Sequence, residues 1–196
     1  MENRYVTFPI SKYLNTSNET GNDVHRLIDS FRCPINQDVE KFLHHNAVEF
    51  TQKKQSITHL ICNDNAELLG YFTTALKPLT IQACKFSNTA KKKIERLAKY
   101  DSKNDSYTVC AYLIAQLGKN YGIEPKKRIS GQVLLARAQD VIEDSQTNVG
   151  GIIEFLECEN NKFLKKFYED NHFTYFDSRY TEGLNSKLLL QYFKFI

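Results

Sequence analysis

The residues best suited to chemistry lie between Pro125 and Gly131. The run Pro125-Lys126-Lys127-Arg128-Ile129-Ser130-Gly131 places three cations beside a glycine. Leu134, Leu135, Ala138, Val141 and Ile142 then recur at helical spacing. A helix start exposes backbone N–H groups and about half a positive charge, so it attracts an anion. Glycine at the junction permits close backbone approach, and the cations add Coulomb attraction. Together they describe a diphosphate cradle, although an ordinary strand-to-helix turn has the same outline. GxxxxGK[ST] and GxGxxG are both missing, which excludes a Walker A loop and a dinucleotide fingerprint.

Other reactive side chains are scattered. The five cysteines (Cys33, Cys62, Cys84, Cys110, Cys158) are odd in number and form no CxxC pair. They read as reduced, mostly buried thiols, without a zinc knuckle or disulfide framework. No metal site is expected. A nucleophilic Cys paired with His59 or His172 has no local signature to support it, and both histidines read as packing or surface residues. Charge is less evenly spread than the net +3 suggests. From Ala83 to Arg137 there are 12 Lys/Arg and 4 Asp/Glu, a net +8, which leaves −5 for the remainder. One basic segment in an otherwise acidic chain points to an anionic ligand or to a solvated face.

The elements that must position these residues follow from periodicity. At 196 residues, 41% hydrophobic and 25% charged, the chain can bury one sizeable core. Residues 1–30 read as an irregular lead-in with a short helix around Val24 to Ile28, and residues 31–196 as a single domain. Residues 37–52 have a helical stripe. Residues 57–62 and 68–73 form a hairpin around Asn63-Asp64-Asn65. Residues 77–106 are polar and carry Lys91, Lys92, Lys93, Arg96 and Lys99. Residues 107–117 (YTVCAYLIAQL) fit a central strand buried on both faces. Residues 149–158 (VGGIIEFLEC) make another strand, and Asn160 or Asn161 caps a helix bearing Phe163, Leu164, Phe167 and Tyr168. Residues 174–176 and 187–193 close the chain as a strand pair. The layout is mixed α/β.

Two segments in this order resemble the GNAT superfamily of acetyl-CoA-dependent N-acetyltransferases. Lys126 to Gly131 occupies the place of its (Gln/Arg)-x-x-Gly-x-(Gly/Ala) loop, and Leu134-Leu135 follows at the expected distance. Asn161, Phe167-Tyr168 and Phe173 match its second pattern, an Asn-opened helix ending in Phe-Tyr. Ile129 stands where the first loop glycine is usual, Lys126 replaces Gln/Arg, and Asn171-His172 precedes Phe173 where glycine is commoner. The resemblance implies a mixed central sheet with helices on both faces and two parallel strands that splay at a cofactor cleft. It implies acetyl-CoA as donor substrate and an amine as acceptor. The pantetheine arm would pair with backbone at Leu117, Gly118 and Lys119. The diphosphate would meet Lys126, Lys127, Arg128, Ile129, Ser130, Gly131 and Gln132, with Asn161 near the pantetheine amides. Tyr168 would act as the general acid that protonates the leaving thiolate; as a plain helix residue it reads as a core aromatic. Glu154 and Glu157 lie on opposite faces of one strand, and either one could deprotonate the amine.

Residues 77–106 resemble an insertion in the toxin acetyltransferases that act on aminoacyl-tRNA. Phosphate contacts for a tRNA would then come from Lys91, Lys92, Lys93, Arg96 and Lys99 with Lys126, Lys127 and Arg128, while a solvated helix face explains the lysine run equally well; a homodimer is left open. A non-catalytic acyl-CoA-binding module is the competing reading from another class. The opening residues lack an apolar h-region and no run approaches the roughly 20 apolar residues of a membrane span, so a cytoplasmic protein with no membrane partner is expected.

Overall fold

The computed structural model describes residues 5–14, 19–182 and 186–196. The chain begins with β1 (Val6–Pro9), a 3-10 turn (Ile10–Lys12), α1 (Glu19–Asp29), α2 (Gln37–Lys41), a π turn (Phe42–Asn46) and α3 (Ala47–Gln52). Next come β2 (Ile57–Cys62), β3 (Leu68–Gln82), α4 (Asn88–Ile94), β4 (Lys99–Asp101) and β5 (Ser106–Lys119). The last elements are α5 (Gly131–Val149), β6 (Ile153–Glu159), α6 (Lys162–Asp170), β7 (Thr174–Tyr180) and β8 (Leu188–Phe195). The expected mixed α/β layout is present. Eight strands are hydrogen-bonded in the order β1-β2-β3-β5-β6-β8-β7, with β4 on β5. Residues group into two compact units, Met1–Ala75 with Ala115–Val141, and Leu76–Ile114 with Ile142–Ile196.

In the first unit β1, β2 and β3 form an antiparallel meander, and the end of β5 follows β3. Ile10, Val24, Ile28, Phe31, Leu43, Ala47, Leu60 and Tyr71 form its core. The expected irregular lead-in is corrected here. Val6 to Pro9 pair with Cys62 to His59, and Val24 and Ile28, one helical turn apart, are buried. The expected short helix around Val24 to Ile28 is part of α1, and each such burial stabilises it by about 1.5–3 kcal/mol. The expected helix over 37–52 forms with a π turn in its middle, after an Asn36 cap whose side chain accepts from the N–H groups of Asp38 and Val39. Gly70 and Tyr71 point to opposite faces: Tyr71 joins the α1/α2 core, whereas Leu134 of α5 comes within 3.3 Å of the place of a Gly70 Cβ. Helices therefore cover both faces.

In the second unit the order is β3-β5-β6-β8-β7. β5 and β6 are parallel, pairing only Tyr112 to Ile114 with Glu154 to Leu156, although β5 is 14 residues long. A splayed pair requires such a short ladder. Leu79, Ile81, Phe86, Ile94, Val109, Phe155 and Phe193 make the core on the α4 side, while Tyr192, the neighbour of Phe193, faces Tyr168 of α6.

Three element boundaries move. β3 runs on to Gln82, because Leu79 and Ile81 alternate inward between exposed Lys77, Pro78, Thr80 and Gln82. Residues 77–106 thus contain the end of a strand, a helix and a short strand, not one polar connection. β6 starts at Ile153, not 149, since α5 continues to Val149 and ends where Gly150 and Gly151 take φ of 76° and 108°. β5 is not buried on both faces throughout, because Cys110 is exposed.

Candidate functional site

The first unit holds the cradle. The β5–β6 ladder stops at Ile114, short of Leu117, Gly118 and Lys119. Gly118 is buried, and a Cβ on it would come within 2.6 Å of the Tyr71 ring and 2.7 Å of Val39. Only glycine fits. Asn120, fully buried, then turns the chain: its Oδ1 accepts from the N–H groups of Arg32 (3.0 Å) and Gly122 (2.8 Å), and its Nδ2 donates to the Leu68 carbonyl (2.8 Å). Sequence reasoning missed this residue, although Asn-Tyr-Gly after a strand is a turn signal.

At the head of α5, Ser130 Oγ accepts from the Val133 N–H (3.1 Å) and the Ser130 carbonyl from Leu134 (3.1 Å). Among the described residues no acceptor engages the N–H groups of Ile129, Ser130, Gly131 or Gln132. Four consecutive donors in an open helix start are what an anion needs. Ile129, 1% exposed, lies against Gly70 and has no positive φ, so this loop does not need the usual first glycine.

The three cations divide their roles. Arg128 turns inward, donating to the carbonyls of Ile123 (3.2 Å) and Tyr121 (3.0 Å) and lying over the Tyr121 ring. Lys127 pairs with Glu67 at 3.1 Å, a contact that raises the lysine's pKa; the Asn63 amide, first, and then Lys127 hold the carboxylate's pKa down. Lys126 is exposed, without an ion pair among the described residues. Two of the three therefore shape the loop, and one stands out as a free cation.

The second unit holds Tyr168 and Asn161. Asn161, not Asn160, caps α6, its side chain accepting from the Phe163 N–H at 2.8 Å. Tyr168 is 7% exposed, with its ring among Phe167, Phe173 and Tyr192 at 5.1, 5.9 and 6.2 Å. Its hydroxyl has no hydrogen-bond partner among the described residues. Burial, aided by the Cys158 thiol, pushes its pKa far above the usual phenol value, so the proton stays on. The two candidate bases are both engaged. Glu154 is buried and lies 3.4 Å from Lys194, directly across the ladder. Glu157 takes a forked Arg179 and the Gln191 amide at 2.7 Å. His59 is a core residue stacked on Phe72 at 4.9 Å, and His172 is an exposed helix-end residue. No group of three metal-binding side chains occurs among the described residues.

No protein-family model matches the sequence, and no curated protein matches it. Solved structures do. AtaT complexed with acetyl-methionyl-tRNAfMet shares 16% identity at a TM-score of 0.62, over 95% of this chain and 94% of that one. A tyrosine-to-phenylalanine mutant of KacT shares 18% at 0.62, over 95% and 94%. AtaTR bound with AcCoA shares 16% at 0.55, over 97% and 93%. Across nearly their whole length, this chain has the fold of the AtaT and KacT structures.

Proposed function

We propose that this protein is an N-acetyltransferase that moves an acetyl group from acetyl-CoA to a primary amine within a ternary complex. The observation that carries this reading is the run of N–H groups from Ile129 to Gln132, unengaged among the described residues, following the stretch of β5 beyond its ladder with β6. The first suits a diphosphate and the second suits a pantetheine arm that adds as a strand. The amine nitrogen attacks the thioester carbon, the tetrahedral intermediate collapses, and the C–S bond breaks. Tyr168 gives its proton to the leaving thiolate and is reprotonated from water. The amine's own proton passes to water, since Glu154 and Glu157 are held by Lys194 and Arg179. Proton donation of this kind contributes roughly 10²–10⁴ in rate, and holding amine and thioester together about 7–11 kcal/mol.

Release of CoA thiol with a panel of amines tests both parts. Tyr168→Phe is expected to cut turnover by roughly 100-fold or more while acetyl-CoA still binds. Unchanged turnover removes Tyr168 from the mechanism. Binding without turnover on any amine favours a non-catalytic acyl-CoA-binding module.

A second reading names the amine as that of an aminoacyl-tRNA. It is favoured by the surface of α4 and β4, where Lys85, Lys92, Lys93, Arg96, Lys99 and Lys103 are exposed and make no ion pair among the described residues. AtaT, of similar fold, was solved with acetyl-methionyl-tRNAfMet, and in another structure with the antitoxin AtaR. An antitoxin-like partner belongs to this reading too.

A further inference from the structure

A buried phenol in the first unit has contacts that core packing alone does not call for. Tyr71 of β3 is fully buried, its ring edge-on to Phe31 with centroids 5.1 Å apart. Its hydroxyl donates to the Val39 carbonyl of α2 at 2.6 Å. The ring and Val39 Cγ1 fill the space where Gly118 has no Cβ, at 2.6 and 2.7 Å. The Gly118 carbonyl in turn lies where Gly70 has no Cβ, at 2.7 Å. The backbone of Gly118 is therefore seated between an aromatic ring and a second glycine, with no side chain of its own to give way.

We propose that Tyr71 is a positioning residue for the edge of β5 that receives the acyl carrier. The ring sets how far Leu117, Gly118 and Lys119 stand out from the sheet, and the hydroxyl ties that setting to α2. This rests on the acetyl-CoA reading above. A strand added to an edge needs N···O distances of about 2.7–3.2 Å and near-linear geometry, so a small change in the height of the edge loses the bonds. Phe31 restrains the ring from swinging away, and the bond to Val39 holds its tilt.

Hydrogen–deuterium exchange with saturating CoA separates the parts. In the wild type, CoA is expected to slow exchange in two segments, residues 115–119 and residues 129–132. In Tyr71→Phe, which keeps the ring and loses the hydroxyl, protection at 115–119 should fall about tenfold, the worth of one hydrogen bond. Protection at 129–132 should persist. Gly118→Ala, which drives a methyl into the ring, should give the same split. Unchanged protection at both segments in Tyr71→Phe, or equal loss at both, overturns the proposal and leaves Tyr71 a core aromatic. A wild type protected only at 129–132 overturns it as well. A wild type protected at neither segment overturns the acetyl-CoA reading instead.

Discussion

Burial acts on Tyr168 and His59 in opposite senses. A buried phenol resists losing its proton, so Tyr168 remains an acid well past pH 10. The Tyr168-dependent part of the rate should therefore show no alkaline decline below about pH 10. It should instead rise as the acceptor amine loses its own proton, and a decline between pH 8 and 10 in a kcat profile would remove Tyr168 as the acid. Burial of His59 favours the neutral imidazole, lowering its pKa from 6.5 to about 4 with a small contribution from Lys12. In that interval the unfolded chain takes up a proton that the folded chain does not. Stability is thus full above pH 6.5, falls as pH drops toward 4, and then levels off. The loss is about 3 kcal/mol. Urea titrations from pH 7 to 4 should show that slope in the wild type and a flatter one in His59→Phe. Parallel slopes in the two proteins would assign the acid sensitivity elsewhere.

The helix ends show how local geometry is imposed by neighbours. α6 ends with the His172 N–H on the Glu169 carbonyl and the Phe173 N–H on the Tyr168 carbonyl, which forces His172 to φ of 67°. That backbone suits glycine and costs other residues about 1–2 kcal/mol. Because His172 is exposed, His172→Gly should raise stability by about 1 kcal/mol, seen as a Tm higher by roughly 2–4 °C; a lower Tm would mean that the imidazole contributes more than the strain removes. The departure from glycine before Phe173 is visible in the sequence, as are the helix after Gly131, the hairpin of β2 and β3, and a cap at Asn160 or Asn161. Each rests on residues within one or two turns of each other. What could not be read depended on distant partners. β1 is four residues ending in proline and exists because β2 pairs with it. The end of β3 is hidden by Lys77 and Pro78 and shows only in the alternation of Leu79 and Ile81. Lys127 is committed to Glu67, 60 positions earlier, and Arg128 to carbonyls of its own loop. The loop composition was right for an anion, but the division of labour among its cations was not legible.

For the molecule as a whole, the uneven charge takes a definite place. The basic stretch from Ala83 to Arg137 includes α4, where Ser87 caps the helix and Ile94 anchors it in the core, so Lys92 and Lys93 face outward. If this surface meets phosphates, Lys91/Lys92/Lys93→Ala should weaken RNA binding and reduce the slope of log K against log salt by up to about 3. An unchanged slope would leave the lysines as a solvated face. Among the described residues no helix is long and apolar enough to cross a membrane.

The division of the chain between the two units has a practical consequence. The boundaries at Ala75 and Ile114 fall inside β3 and β5, and the first unit is completed only at Val141. No single cut yields an intact half, so neither can be expressed as a fragment ending or starting at one position. Point variants are therefore the route to inert versions for study.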